Sequence, residues 1–125
     1  MLKVIAAEDV GRALNRAGVE GQIVGSVIMV MGYALSEEFK VEEGRNLTDN
    51  LAKCHVPKIT ETPEIVSIII EDGDPGGPHG AKGMGEVALL PTAPSIINAI
   101  YDAVGVRITS LPATKEKVLE AMKTS

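Results

Sequence analysis

An α+β fold, with helices packed on a mixed β-sheet as a two-layer sandwich, is predicted by three features of this 125-residue chain. Two long stretches carry apolar residues at helical spacing, and a third, short one closes the sequence. Four or five β-prone runs lie between them without the strict strand–helix alternation of a parallel α/β fold. The balance of 45% hydrophobic and 23% charged residues is that of a soluble globular domain, read here as one domain over residues 1–125. A chain of this length is expected to bury about two thirds of its unfolded surface.

Lys3-Val4-Ile5-Ala6-Ala7 reads as a short strand ending at Glu8-Asp9-Val10-Gly11. Arg12 to Gly18 is polar, with Asn15 and Gly18 as turn formers, and is expected to be irregular. A helix is predicted from Val19-Glu20 to about Glu37. Ile23, Val27, Val30, Met31, Ala34 and Leu35 form one face, and Val24, Ile28 and Met29 fill much of the other. A helix apolar nearly all round is buried on more than one side. Phe39 and Val41 alternate with Lys40 and Glu42, Glu43-Gly44-Arg45 turns the chain, and Asn46 to Thr48 returns it as a hairpin.

Residues 49–63 contain Pro57 and Pro63 and read as loop. The β-branched run Ile65-Val66-Ser67-Ile68-Ile69-Ile70, stopped by Asp72-Gly73, predicts a central strand buried on both faces. Pro94 suits the first turn of a helix capped by Thr92. Ile96, Ile97, Ile100, Tyr101 and Val104 give that helix its face, and Gly105 ends it. Val106-Arg107-Ile108-Thr109 alternates as a half-buried strand. Thr114 then caps a last helix with Val118, Leu119 and Met122 on its apolar side.

Composition excludes several functions. A formal charge of −5 leaves no basic stripe to displace counterions from phosphate, and the only aromatics are Tyr33, Phe39 and Tyr101. No nucleic-acid partner is expected. The longest apolar stretch, Ile23 to Leu35, is shorter than the roughly 20 residues of a bilayer span, so no membrane association is expected. Cys54 is the single cysteine, which fits a reducing compartment and a cytoplasmic location. Cys54 and His55 are adjacent and no second pair stands at zinc spacing, so no metal ligands are assigned.

The most informative segment holds five glycines within residues 76–86 and ends in a single carboxylate, Glu86, before an apolar run. So many glycines cost unfolded-state entropy, which tight turns or a closely approaching ligand offset. Gly83-Met84-Gly85-Glu86-Val87-Ala88 fits a dinucleotide-binding fingerprint on paper, but the preceding strand ends a dozen residues too early and no acid follows at ribose distance. Gly80-Ala81-Lys82-Gly83 lacks the spacing and the hydroxyl residue of a phosphate-binding Walker loop. Two readings of Glu86 are open: a helix-proximal carboxylate bonded to backbone N–H groups, or a general base in a dry pocket walled by Val87 to Leu90. Gln22, in the first turn of the apolar helix, either caps local backbone or aims a donor and an acceptor at a polar ligand.

Three segments carry a resemblance. They are Lys3 to Asn15, Val19-Glu20-Gly21-Gln22-Ile23, and Gly80 to Glu86 followed by Pro91-Thr92-Ala93-Pro94-Ser95. In order and spacing they closely resemble the C-terminal end of the molybdopterin-binding subunit of the molybdenum hydroxylases, the xanthine dehydrogenase and aldehyde oxidase family. The resemblance spans nearly the whole chain. It implies an oxidoreductase that hydroxylates an aldehyde or an N-heterocycle, with Glu86 as the general base. It also implies that Gln22, Lys82, Gly83 and Gly85 bind the cofactor, the glycines keeping the backbone clear for close approach. Residues 52–58 depart from the Asp-Tyr and Ile-Pro-Thr usual in the family.

The family subunit is several hundred residues long, so the resemblance implies molybdopterin in the complete enzyme, none bound by this chain alone, and no activity without the upstream part. The implied partners are the remainder of the molybdenum subunit and the iron–sulfur and flavin subunits. The alternative is a non-catalytic remnant or interaction module of the same fold that self-associates through surface its parent once covered.

Overall fold

The computed structural model describes residues 1–124. The elements follow in the order β1 (Lys3–Asp9), α1 (Arg16–Leu35), β2 (Val41–Glu42), β3 (Arg45–Asn46), α2 (Leu51–Cys54), β4 (Glu64–Ile70), α3 (Leu89–Val104) and α4 (Lys115–Thr124), with 3₁₀ turns at Ile59–Glu61 and Pro78–Gly80. The α+β class is the predicted one. Its strands make two separate pairings, β1 with β4 in parallel and the hairpin β2–β3 antiparallel.

The β1–β4 ladder runs from Lys3 opposite Glu64 to Asp9 opposite Ile70. β4 is therefore not a central strand. With one neighbour and an open edge it leaves Ile68 and Ile70 about half exposed. The outer edge of β1 is open too. The Leu2 carbonyl and the Val10 amide turn towards β4, bonding Glu64 and Ile70 at 3.1 and 3.0 Å. By alternation the backbone groups of Lys3, Ile5 and Ala7 turn the other way, where no strand pairs among the described residues.

Helix α1 begins three residues before the predicted start because Asn15 caps it, its Oδ1 accepting the Gly18 amide at 3.0 Å. The stretch from Arg12 to Gly18 is thus only partly irregular, and Gln22 lies in the second turn rather than the first. One face of α1, with Ile23, Val27, Val30, Met31 and Ala34, is buried and packs on β4 and α3 as a core helix does. The opposite face is uncovered: Val24, Met29 and Tyr33 are 39, 50 and 48% exposed.

Residues 49–63 hold α2 and a 3₁₀ turn rather than plain loop, with Asn50 capping α2 through the Lys53 amide. Helix α3 starts three residues before Thr92, so Thr92 is not its cap. Its buried hydroxyl donates to the Ala88 carbonyl at 2.8 Å inside the first turn. Pro94 is the sixth helical residue, and the carbonyl it cannot bond belongs to the exposed Leu90. Gly105 ends α3 in the left-handed conformation, as predicted. Val106 to Thr109 is not a strand. Val106 is buried and the Arg107 guanidinium stacks 3.7 Å over the Tyr101 ring, which draws the segment back onto α3. Thr114 caps α4 by accepting the Lys117 amide, but Leu119 and Met122 on its apolar side stay exposed.

The accessible surface is 8,447 Å². A compact monomer of this 13.1 kDa mass exposes about 6,400 Å², so the chain shows about 2,000 Å² more than its size requires. Burial amounts to about 56% of the unfolded surface rather than two thirds. Open sheet edges and uncovered helix faces account for the difference.

Candidate cofactor site

The glycine-rich loop is held to the end of β1 by a short antiparallel clasp. Gly11 bridges Ala81, the Arg12 amide donates to the Gly80 carbonyl at 2.8 Å, and the Lys82 amide donates to the Val10 carbonyl at 2.9 Å. Only glycine serves at position 11, where φ is +60° and an added Cβ would lie 2.3 Å from the Gly80 oxygen.

Asp9 anchors the clasp. Its Oδ1 accepts the amides of Gly11 and Asp72 at 3.0 and 3.2 Å, and its Oδ2 is ion-paired with Lys82 Nζ. Hydrogen bonding from Lys82, and then from the Gly11 amide, lowers the Asp9 pKa to about 2, and the same pair raises that of Lys82. Asp9 is not among the site residues to which the glycine pattern or the family resemblance points. The available signal was an Asp two residues before a Gly at a strand end, the pattern of an Asx turn.

Beside the clasp, Gln22 from α1 comes together with Lys82 and Gly85 from the loop in the wall of one cavity of about 360 Å³, whose lining includes the apolar Val10, Leu14, Val19 and Met84 and the polar Arg12 and Asn15. Gly83 and Glu86 stand outside that wall. Gln22 is exposed, and its amide has no hydrogen-bond partner among the described residues, so it is not a local cap. Around Gly83 and Gly85 an added Cβ would meet nothing within 4 Å. No contact within the chain requires glycine there, in contrast to position 11.

Glu86 opens the turn that enters α3, its carbonyl accepting the Leu89 amide at 3.0 Å. Its carboxylate is exposed and bonds no backbone N–H among the described residues. Nor does it sit in a dry pocket formed by its neighbours, because Val87, Ala88 and Leu89 turn inward to seat α3. Any walls that would dry Glu86 lie outside this chain. Cys54 and His55 diverge: the thiol donates to the Thr48 carbonyl while His55 is exposed in a left-handed cap.

A neutral amide with both donor and acceptor free, an apolar wall and a backbone edge bare of Cβ atoms suit one side of a flat polar heterocycle. The residues present therefore fit a pterin edge, and the fold and site define a cofactor-binding domain. The profile of the molybdopterin cofactor-binding domain family matches residues 1–63. The aldehyde oxidoreductase of Megalodesulfovibrio gigas is 41% identical over 116 residues, covering 92% of this chain and 12% of that protein. The aldehyde oxidoreductase molybdenum-binding subunit PaoC of Escherichia coli K12 is 37% identical over 125 residues, 98% of this chain and 17% of that one. The crystal structure of the aldehyde oxidoreductase from Desulfovibrio desulfuricans ATCC 27774 superposes with a TM-score of 0.89 at 37% identity, over 97% of this chain and 13% of the other. The chain belongs to the molybdenum hydroxylase family, and it spans less than a fifth of the length of these relatives.

Proposed function

We propose that the chain acts as the C-terminal part of a molybdopterin-dependent hydroxylase that oxidises an aldehyde or N-heterocycle. In this reading it supplies the general-base glutamate and one wall of the cofactor pocket. The observation that carries the reading is the convergence of Gln22, Lys82 and Gly85 on one cavity, with the unpartnered carboxylate of Glu86 one residue beyond.

When bound, the molybdenum cofactor supplies the two-electron sink and the oxygen delivered to the substrate carbon. Gln22 holds the pterin edge by donating and accepting hydrogen bonds. Gly83 and Gly85 leave the approach free of side chains. Lys82 acts through Asp9, fixing the loop to β1 so that Glu86 keeps its place. Glu86 would serve as the proton acceptor at its carboxylate, a role that suits a carboxylate with no competing partner. Iron–sulfur and flavin subunits carry the electrons away, and the chain is inactive without the rest of the molybdenum subunit.

In enzyme reconstituted with that remainder, Glu86→Gln is expected to lower turnover by about 10²–10⁴-fold with molybdenum content unchanged. A loss of less than tenfold removes the general-base assignment. A second reading, a non-catalytic self-associating module, draws support from the uncovered apolar face of α1. Light scattering that finds a monomer at high concentration rejects it.

A further inference from the structure

A second cavity, of about 380 Å³, lies between β1 and α3. Val4, Ala6 and Glu8 of β1 line it opposite Thr92, Ser95 and Ile96 of α3. Glu8 is the anomaly. It is only 7% exposed, yet its carboxylate has no hydrogen-bond or ion-pair partner among the described residues. No side-chain oxygen of these residues is both fully sealed and unpaired, so the Glu8 carboxylate, which lines the groove, is not sealed off. The Thr92 hydroxyl is spent on the Ala88 carbonyl and does not reach it.

A carboxylate in an apolar groove is costly unless a donor or cation joins it. Desolvation raises the Glu8 pKa, the expected response of an unpaired buried acid. Along the same groove runs the open edge of β1, where the N–H and C=O groups of Lys3, Ile5 and Ala7 find no strand. The chain's whole excess of about 2,000 Å² exceeds the roughly 800 Å² that each partner buries in a standard interface, so one docked segment covers only part of it.

We infer that the β1–α3 groove receives an extended segment bearing an arginine or lysine, which pairs with the free edge of β1 and places its cationic group on Glu8. The segment is assigned to the part of the molybdenum-binding subunit that this chain does not contain, so its source rests on the part-subunit reading above. The chemistry of the seat does not depend on Glu86. Main-chain pairing at an open edge supplies affinity, and the buried acid supplies selectivity for a basic side chain.

The test is an NMR titration of the 125-residue chain with acetyl-Val-Thr-Arg-Thr-Val-amide, with the same peptide carrying norleucine for arginine, and with methylguanidinium. The arginine peptide should shift the amide signals of Ile5 and Ala7 and the side-chain carboxyl signal of Glu8, binding at least about tenfold more tightly than the norleucine peptide. That difference should vanish in Glu8→Gln, whose native amide spectrum confirms its fold. Equal binding of both peptides, no shift at Ile5 and Ala7, or methylguanidinium binding as tightly as the peptide overturns the inference. Neither cofactor nor turnover enters the titration, so its failure leaves the Glu86 assignment intact, and the reverse holds.

Discussion

Glu8 and Asp9 are adjacent carboxylates pushed in opposite directions, and the chain's response to pH follows from them. Asp9 is lowered from 3.8 to about 2 by Lys82 and the Gly11 amide. Its stabilising contribution is full above 3.8 and is lost as pH falls towards 2. Glu8 is raised above 4.5 by desolvation. The folded state holds that proton more tightly, so its contribution is full below 4.5 and is lost as pH rises through the raised value. Urea midpoints measured from pH 2 to 8 should therefore show Glu8→Gln equal to the wild type near pH 4 and more stable at pH 7. Asp9→Asn should be less stable at pH 7 and should flatten the acid limb, of which Asp49 and Glu116 keep a share. Wild-type behaviour of Glu8→Gln at pH 7 would show that Glu8 is paired. At this scale Gln22, Lys82, Gly83, Gly85 and Glu86 stood out in the sequence through the glycine pattern and the family resemblance. The phase of Glu8 with Val4 and Ala6 was visible too, but that its inward face would lack a partner depends on packing no local pattern records.

Among the elements, those closed by local chemistry were legible and those closed by distant partners were not. Gly105 and Thr114 act within a few residues as expected. The hairpin turn forms at Glu43-Gly44, with Arg45 already paired to Glu42 and the return strand at Arg45–Asn46 rather than Asn46 to Thr48. Val106 to Thr109 had the alternation of a strand but meets no strand to pair with. The β-branched run of β4 resembles a doubly covered strand, but among the described residues it has one strand neighbour and an open edge. The clasp between β1 and the glycine-rich loop separates two kinds of glycine. Gly11→Ala must adopt a left-handed φ and push a Cβ against the Gly80 oxygen, and is expected to cost about 1–3 kcal/mol or more. Gly85→Ala meets open space and should stay within about 0.5 kcal/mol of the wild type. Urea denaturation of both variants checks this, and a large loss for Gly85→Ala would show a contact within the chain.

For the whole molecule, burial of about 56% of the unfolded surface is below the roughly 60% of a 60-residue domain, although the chain has twice that length. Its stability alone should lie below about 5 kcal/mol, at or under the lower bound of ordinary domains. Urea unfolding of the purified chain measures this directly, and a value near 10 kcal/mol would refute the claim that uncovered edges weaken it. A partner that binds only the folded form should raise the melting temperature as its concentration rises.

The parallel pairing of β1 with β4 also has a meaning in time. Lys3 meets Glu64, 61 positions later, and no strand within the intervening residues offers β1 a substitute. At about 5–20 residues per second of synthesis, β1 waits roughly 3–12 s for its partner. Such non-local closure slows folding, because loop entropy is lost before the contacts repay it. In the later part of that interval α1 has emerged before β4 and α3, the elements on which its buried face packs. The long reach between the two strands of this ladder makes the nascent chain most vulnerable to misassembly before Ile70 appears.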